Sequence, residues 1–77
     1  MSNINIKLTR ENFNFKFKQY ESMYFHAEIN PNSEVVKYKI TKDIDGNELK
    51  VFGNTHIKDN MIYISQIEAY IDLNKIN

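Results

Sequence analysis

Alternation of apolar and polar residues is the strongest pattern along this chain, and it predicts β-strands. Residues 4–8 alternate as a first strand, and a polar break follows. From 13 to 29 the apolar side chains keep one parity, which only Gln19 and Glu21 interrupt. Because side chains of one parity share one face of a strand, we interpret this stretch as two strands joined between Gln19 and Ser22 or as one long bent strand.

A helix capped by Thr9 is the rival interpretation of the same stretch. One side of that helix would carry Phe13, Phe17, Tyr20 and Tyr24. It would leave Phe15 and Phe25 pointing elsewhere, and aromatic residues at alternate positions suit a pleated surface better. The sequence therefore favours strands.

Turn signals divide the following residues into strands. Residues 30–33 read Asn-Pro-Asn-Ser and predict a turn, because proline fixes φ and lacks a donor while Asn and Ser bond their own backbone. Residues 35–41 form a β-branched strand, and Asp45-Gly46 predicts a hairpin that returns along residues 48–52.

The last third of the chain admits two interpretations. Gly53-Asn54 marks a bulge or the end of a strand, and a turn at 58–60 precedes a strand at 61–64. Residues 65–68 read Ser-Gln-Ile-Glu, a capping box that predicts a short helix. Residues 67–73 also alternate, which would make a final strand instead.

We therefore predict a single domain over residues 1–77, since the length leaves no room for a second core. Its fold class is mainly β: one antiparallel meander of five or six strands, curled into a half-open barrel. The short C-terminal helix would make it α+β. The predicted core is Ile4, Ile6, Leu8, Phe13, Phe15, Phe17, Phe25, Ile29, Val36, Ile40, Val51, Ile62 and Ile67.

The composition indicates the cellular compartment and the kind of genome that encodes the chain. The chain has no cysteine, so it needs no oxidising compartment, and it has neither a signal-peptide pattern nor a long apolar run. We expect a cytoplasmic protein without a membrane partner. Asn, Ile and Lys make up 31 of the 77 residues, which have A/T-rich codons and suggest a low-GC genome or a phage or plasmid within one.

Catalytic and metal-binding patterns are absent from the sequence. His26 and His56 are the only histidines, and a zinc site would need a carboxylate such as Glu28 or Asp59 to converge with them. Residues 43–48 depart from the calcium-loop pattern and are explained by a hairpin turn. We expect no enzyme, no metal and no cofactor.

The most informative feature is the outward parity of the stretch before residue 29. If the phenylalanines point inward, solvent meets Asn14, Lys16, Lys18, Tyr20, Ser22, Tyr24, His26 and Glu28. Tyrosine supplies large contact area with a polar tip and is common where proteins bind partners. The candidate partner-binding residues are Lys16, Lys18, Tyr20, Tyr24 and His26, and the competing interpretation is an ordinary solvated face.

The predicted function is a small non-catalytic protein-binding module. Its partner would be a host or viral protein, and inhibition of a host defence nuclease by a phage or mobile element, of the anti-CRISPR or anti-restriction type, is one form of it. Single-stranded nucleic-acid binding through the same face is the alternative. The net charge is zero, so phosphate contacts would be few unless folding segregates the lysines onto one side. A homodimer or a homo-oligomeric structural subunit is the third class.

Overall fold

A computed structural model describes residues 2–14, 18–29 and 35–75 as one sheet of six antiparallel strands in chain order. The sheet is curled into a half-barrel, so the predicted antiparallel meander is confirmed. The strands are β1 (Ser2–Lys7), β2 (Tyr24–Ile29), β3 (Val35–Thr41), β4 (Leu49–Lys58), β5 (Met61–Ile64) and β6 (Ala69–Asp72).

A short segment after β1 contacts the far end of the sheet. Phe13 forms an isolated antiparallel bridge with Ile71 in β6. Beside it, the Asn14 N–H donates to the Tyr70 carbonyl at 3.0 Å. These backbone bonds cover part of the outer edge of β6, which limits pairing with another chain there.

The core lies on the concave side of the sheet and largely matches the predicted one. Eight predicted core residues are buried: Leu8, Phe13, Phe25, Val36, Ile40, Val51, Ile62 and Ile67. Ile4, Ile6 and Ile29 are half-buried and pack against them, while Phe15 and Phe17 lie outside the described residues. The sequence prediction missed the buried Ala27, Tyr38, Ile64, Ala69 and Ile71.

Of the two interpretations of residues 13–29, one long bent strand is wrong, whereas the predicted join between Gln19 and Ser22 is present as a turn. Lys18–Tyr20 is a 3-10 helix, and Ser22 has a φ of 70°. The Met23 N–H then donates to the Tyr20 carbonyl at 3.1 Å, which closes a turn before β2 starts. The polar residues that interrupt the parity therefore mark a turn. The Thr9 carbonyl likewise accepts from Phe13 N–H at 3.1 Å, closing a single turn.

The predicted C-terminal helix is also wrong, because the alternative of a final strand is the one observed. Ser65–Ile67 is one 3-10 turn without a side-chain cap, and Glu68 has a φ of 49° before β6 begins. Burial explains the choice: Ala69 and Ile71 enter the core only at the alternate spacing of a strand paired with β5. The described residues contain no helix of seven or more residues, and none that could cross a membrane.

The predicted turns within the described ranges are confirmed. Gly46 has a φ of 89°, and the Asp43 carboxylate accepts a hydrogen bond from Asn47 N–H at 2.9 Å, so the 42–48 loop is closed locally. Asp59 and Asn60 both have positive φ, as the hairpin between β4 and β5 requires. The predicted turn at residues 30–33 lies outside the described ranges.

Gly53 lies within β4 and does not end it. A Cβ at this position would come within 3.1 Å of the Tyr38 hydroxyl and 2.9 Å of Gln66 Nε2. The register irregularity of this hairpin lies elsewhere, between Ile40 and Thr41 opposite the start of β4. Gly53 is therefore explained by close packing against Tyr38.

Removing one methylene from a buried side chain should lower the free energy of unfolding more than removing one from an exposed side chain. Ile40→Val shortens a side chain that is 0% exposed and should lower the free energy of unfolding by about 1 kcal/mol. Ile44→Val changes a side chain that is 50% exposed and should cost less than about 0.5 kcal/mol. Urea unfolding followed by circular dichroism measures both, and equal losses would contradict the core assignment.

Candidate functional site

The antiparallel register assigns each side chain of β1–β4 to one of two faces, because directly paired residues point to the same side. Ile6, Phe25, Ile40 and Val51 pair across the four strands and point into the core. We call the opposite side the outer face. It carries Asn3, Asn5, Lys7, Tyr24, His26, Glu28, Lys37, Lys39, Thr41, Leu49, Phe52 and Asn54.

A shallow groove of about 390 Å³ lies on this outer face. One cross-strand row supplies a residue from each strand to its lining: Asn5, His26, Lys39 and Phe52. The volume is at the lower end of the range for small-ligand and side-chain pockets. The groove can therefore hold one or two side chains of a partner or a small ligand.

Exposed apolar side chains form one wall of the groove. Phe52 is 65% exposed and Leu49 is 51% exposed, and both line the groove from β4. Gln66 Nε2 donates to the Phe52 carbonyl at 2.6 Å and to the Tyr38 hydroxyl at 3.2 Å. The backbone of β4 at Phe52 is thus held by a hydrogen bond from Gln66, while the Phe52 ring itself remains in solvent.

A buried hydrogen-bond network underlies the groove. His26 is only 9% exposed, and its Nε2 lies 2.8 Å from Thr41 Oγ1. The Thr41 hydroxyl donates to the Asp43 carbonyl at 2.6 Å, and Thr41 is 0% exposed although it belongs to the outer face. His26 Nδ1 lies 2.7 Å from Asn5 Oδ1. The imidazole therefore links β1, β2, β3 and the start of the 42–48 loop.

The single hydroxyl proton of Thr41 determines that Nε2 of the ring carries a hydrogen. Because that proton goes to the Asp43 carbonyl, Thr41 Oγ1 accepts from His26, and Nε2 carries a hydrogen. A neutral ring then has a lone pair on Nδ1, which meets a donor only when the Asn5 amide turns its NH2 group toward the ring in place of the Oδ1 that lies there. An imidazolium donates from Nδ1 instead, and the Asn5 oxygen accepts. A half-turn of the Asn5 amide thus serves both charge states.

The surroundings of His26 favour its neutral form. Burial lowers the pKa of His26 below its ordinary value of 6.5, and the charge of Lys39 lowers it further. The carbonyl and the carboxylate of Asp43 act in the opposite direction but less strongly. At neutral pH the groove therefore has an uncharged imidazole in its floor.

Lysines give the outer face a positive charge that the whole chain lacks. Among the described residues of β1–β4, Lys7, Lys37 and Lys39 lie on it with one carboxylate, Glu28, whereas the chain has a net charge of zero. In the described part of the chain, the ammonium groups of Lys37 and Lys39 make no ion pair.

Lysines in and beside the 42–48 loop behave differently. Lys42 and Lys50 lie 3.7 Å and 3.9 Å from the Glu48 carboxylate. Their charges are therefore partly balanced within the protein, whereas Lys37 and Lys39 remain available to a ligand.

The structure separates the five predicted partner-binding residues. Tyr24 and His26 lie on the outer face, but His26 is buried in the network, so its expected exposure is corrected. Lys18 is exposed on the 3-10 helix, and Tyr20 is half-buried against the core, because this turn interrupts the pleat. Lys16 lies outside the described residues.

The sequence prediction missed Phe52 and Leu49. The predicted core includes Val51, so the alternation of the strand already implied that its neighbour Phe52 points outward. The pairing of Val51 with Ile40 in the structure agrees with that direction. Within the described ranges, no three His, Cys, Asp or Glu side chains converge on a metal position.

Comparison of the chain with protein-family models, with curated proteins and with solved structures gave no match. A function can therefore be inferred only from the geometry of the chain itself.

The network predicts that acid weakens the fold through His26. The pKa of His26 in the folded protein lies below the ordinary 6.5, so between these values the unfolded chain binds a proton that the folded chain does not. The free energy of unfolding should be constant above about pH 7.5 and should fall as the pH is lowered through 6.5. Urea unfolding between about pH 5 and 8 measures this.

His26→Gln should remove that slope, whereas His56→Gln, at an exposed position of β4, should leave it in place. Asp43 does not interfere, because the Asn47 N–H bond holds the pKa of its carboxyl below 3.8. A slope that survives His26→Gln would show that another group is responsible.

Proposed function

We propose that this chain is a small non-catalytic module that binds a partner protein through the outer face, with Phe52 as the anchor. The exposure of the Phe52 ring beside Leu49 is the observation that carries the proposal. Such an arrangement is typical of protein-binding sites, in which an aromatic residue lies in an apolar centre and polar residues form the rim. Here Asn3, Lys37 and Lys39 supply that rim.

The chemistry of His26 supports binding over catalysis. Both of its ring nitrogens are engaged by side chains of the protein, and the ring is almost fully covered. A general base needs a nitrogen within reach of a substrate proton. His26 is better suited to holding three strands in register beneath the groove.

Single-stranded nucleic-acid binding is a second candidate, supported by the exposed Phe52 ring close to two lysines of β3. Against it, the described strands of the outer face carry few lysines, which would neutralise few phosphates of a regularly charged backbone. Inhibition of a host defence protein, and an origin in a phage or mobile element, stay predictions from composition.

Replacing the anchor should weaken binding without unfolding the protein. Phe52→Thr puts another residue that favours strands at this position but removes the ring, so we expect affinity for a captured protein partner to fall at least about tenfold. Partners captured by the immobilised wild-type protein would be purified, and their Kd for each variant measured by calorimetry.

Ile44→Thr is the matched control, since Ile44 is equally apolar and 50% exposed but does not line the groove. It should leave the Kd unchanged, and circular dichroism should show both variants folded. Equal loss in the two variants would contradict an anchor at Phe52. Binding of an oligonucleotide that weakens steeply with salt would favour the second candidate.

A further inference from the structure

We propose that the segment bound in the groove is an extended, acidic stretch of the partner, which places an apolar side chain against Phe52 and Leu49 and carboxylates beside Lys37 and Lys39. This inference rests on the proposed function and specifies the chemistry of the partner. It follows from where folding puts the charges of a chain that is neutral as a whole.

Strand β3 is responsible for the separation of charge. Val36, Tyr38 and Ile40 are buried, so the intervening Lys37 and Lys39 must both point to the outer face. Two residues of one parity in a strand are roughly 7 Å apart, which matches the spacing of alternate side chains in a bound extended segment. Successive carboxylates of such a segment can therefore meet successive ammonium groups.

The two lysines are poised for a ligand. Neither has an ion pair among the described residues, whereas Lys42 and Lys50 lie beside Glu48. The Lys39 ammonium lies close to Gly46, 3.1 Å from where a Cβ would stand, so its side chain extends from the groove toward the 42–48 loop. An incoming carboxylate would gain an ion pair without breaking one.

The floor of the groove is built before the partner arrives. His26 is tied to Asn5 on β1 and to Thr41 on β3, so these strands do not have to be ordered on binding. In its neutral form the imidazole adds no charge, and the field of the groove is set by Lys37 and Lys39 against Glu28.

A protein segment fits these features better than a polynucleotide. In the part of the chain that the structure describes, the outer face offers three lysines and one carboxylate, which would neutralise few phosphates of a regularly charged backbone. The Leu49 side chain provides an aliphatic wall beside the Phe52 ring, which suits an apolar side chain and offers no second stacking surface for a base.

Two synthetic peptides and one oligonucleotide test this inference. The first peptide alternates Glu with Leu and Phe over twelve residues, the second replaces every Glu by Lys, and the oligonucleotide is a twelve-residue thymidine strand. Each is titrated into 15N-labelled protein. We expect only the acidic peptide to shift the amide resonances of β3 and β4, with an affinity that falls as salt is raised.

Lys39→Glu should weaken binding of the acidic peptide at least about tenfold. Lys75→Glu, which reverses an exposed lysine outside the sheet, is the matched control and should have little effect. Equal effects of the two variants, equal binding of the basic peptide, tighter binding of the oligonucleotide, or no shift with the acidic peptide at about 1 mM would each overturn the inference.

The failure of this inference is distinguishable from failure of the proposed function. If Phe52→Thr loses a captured protein partner while Lys37→Glu and Lys39→Glu retain it, the protein-binding function stands and the acidic chemistry is refuted. If all three variants retain the partner, the outer face is not the binding surface.

Discussion

Burial of alternate residues in β3 and β4 is the constraint from which the rest of the outer face follows. Once Val36, Ile40 and Val51 enter the core, the side chains between them have no choice of direction. A shift of one residue in register would expose these aliphatic groups and bury lysines, at a cost of several kcal/mol for each group. The stability of the core therefore also determines the position of Lys37 and Phe52.

The buried polar network on the other side of the same strands adds a second requirement. Thr41 and His26 are covered although they lie outside the core, so each of their polar atoms needs a partner. Asn5 and the Asp43 carbonyl meet that need, and no buried side-chain N or O within the described ranges is left without one. Since an unmade bond here would cost about 1–3 kcal/mol, the network selects one arrangement of β1, β2 and β3.

Local patterns were sufficient to predict most strands and the hairpins on either side of β4, although not its extension to Lys58, because a turn such as Asp45-Gly46 and a β-branched run act on their own neighbours. Local patterns were insufficient where contact with a distant strand determines the conformation or the burial of a residue. Residues 65–68 satisfy a capping box, yet pairing of β6 with β5 and burial of Ile71 prevail. In the same way, parity correctly placed His26 on the outward side, but its burial depends on Asn5 and Thr41, which are 21 and 15 residues away.

Phe52 is the residue for which the fold offers no explanation. Its ring is mostly in solvent, so it contributes little apolar burial, and a threonine would serve the strand about as well. Leu49 is likewise exposed without a structural reason. Both residues line a groove whose floor is hydrogen-bonded, and the lysines beside them make no ion pair among the described residues. Single exposed apolar residues are ordinary on protein surfaces. Two that line one groove with a charged rim contribute favourable burial only when another molecule covers them.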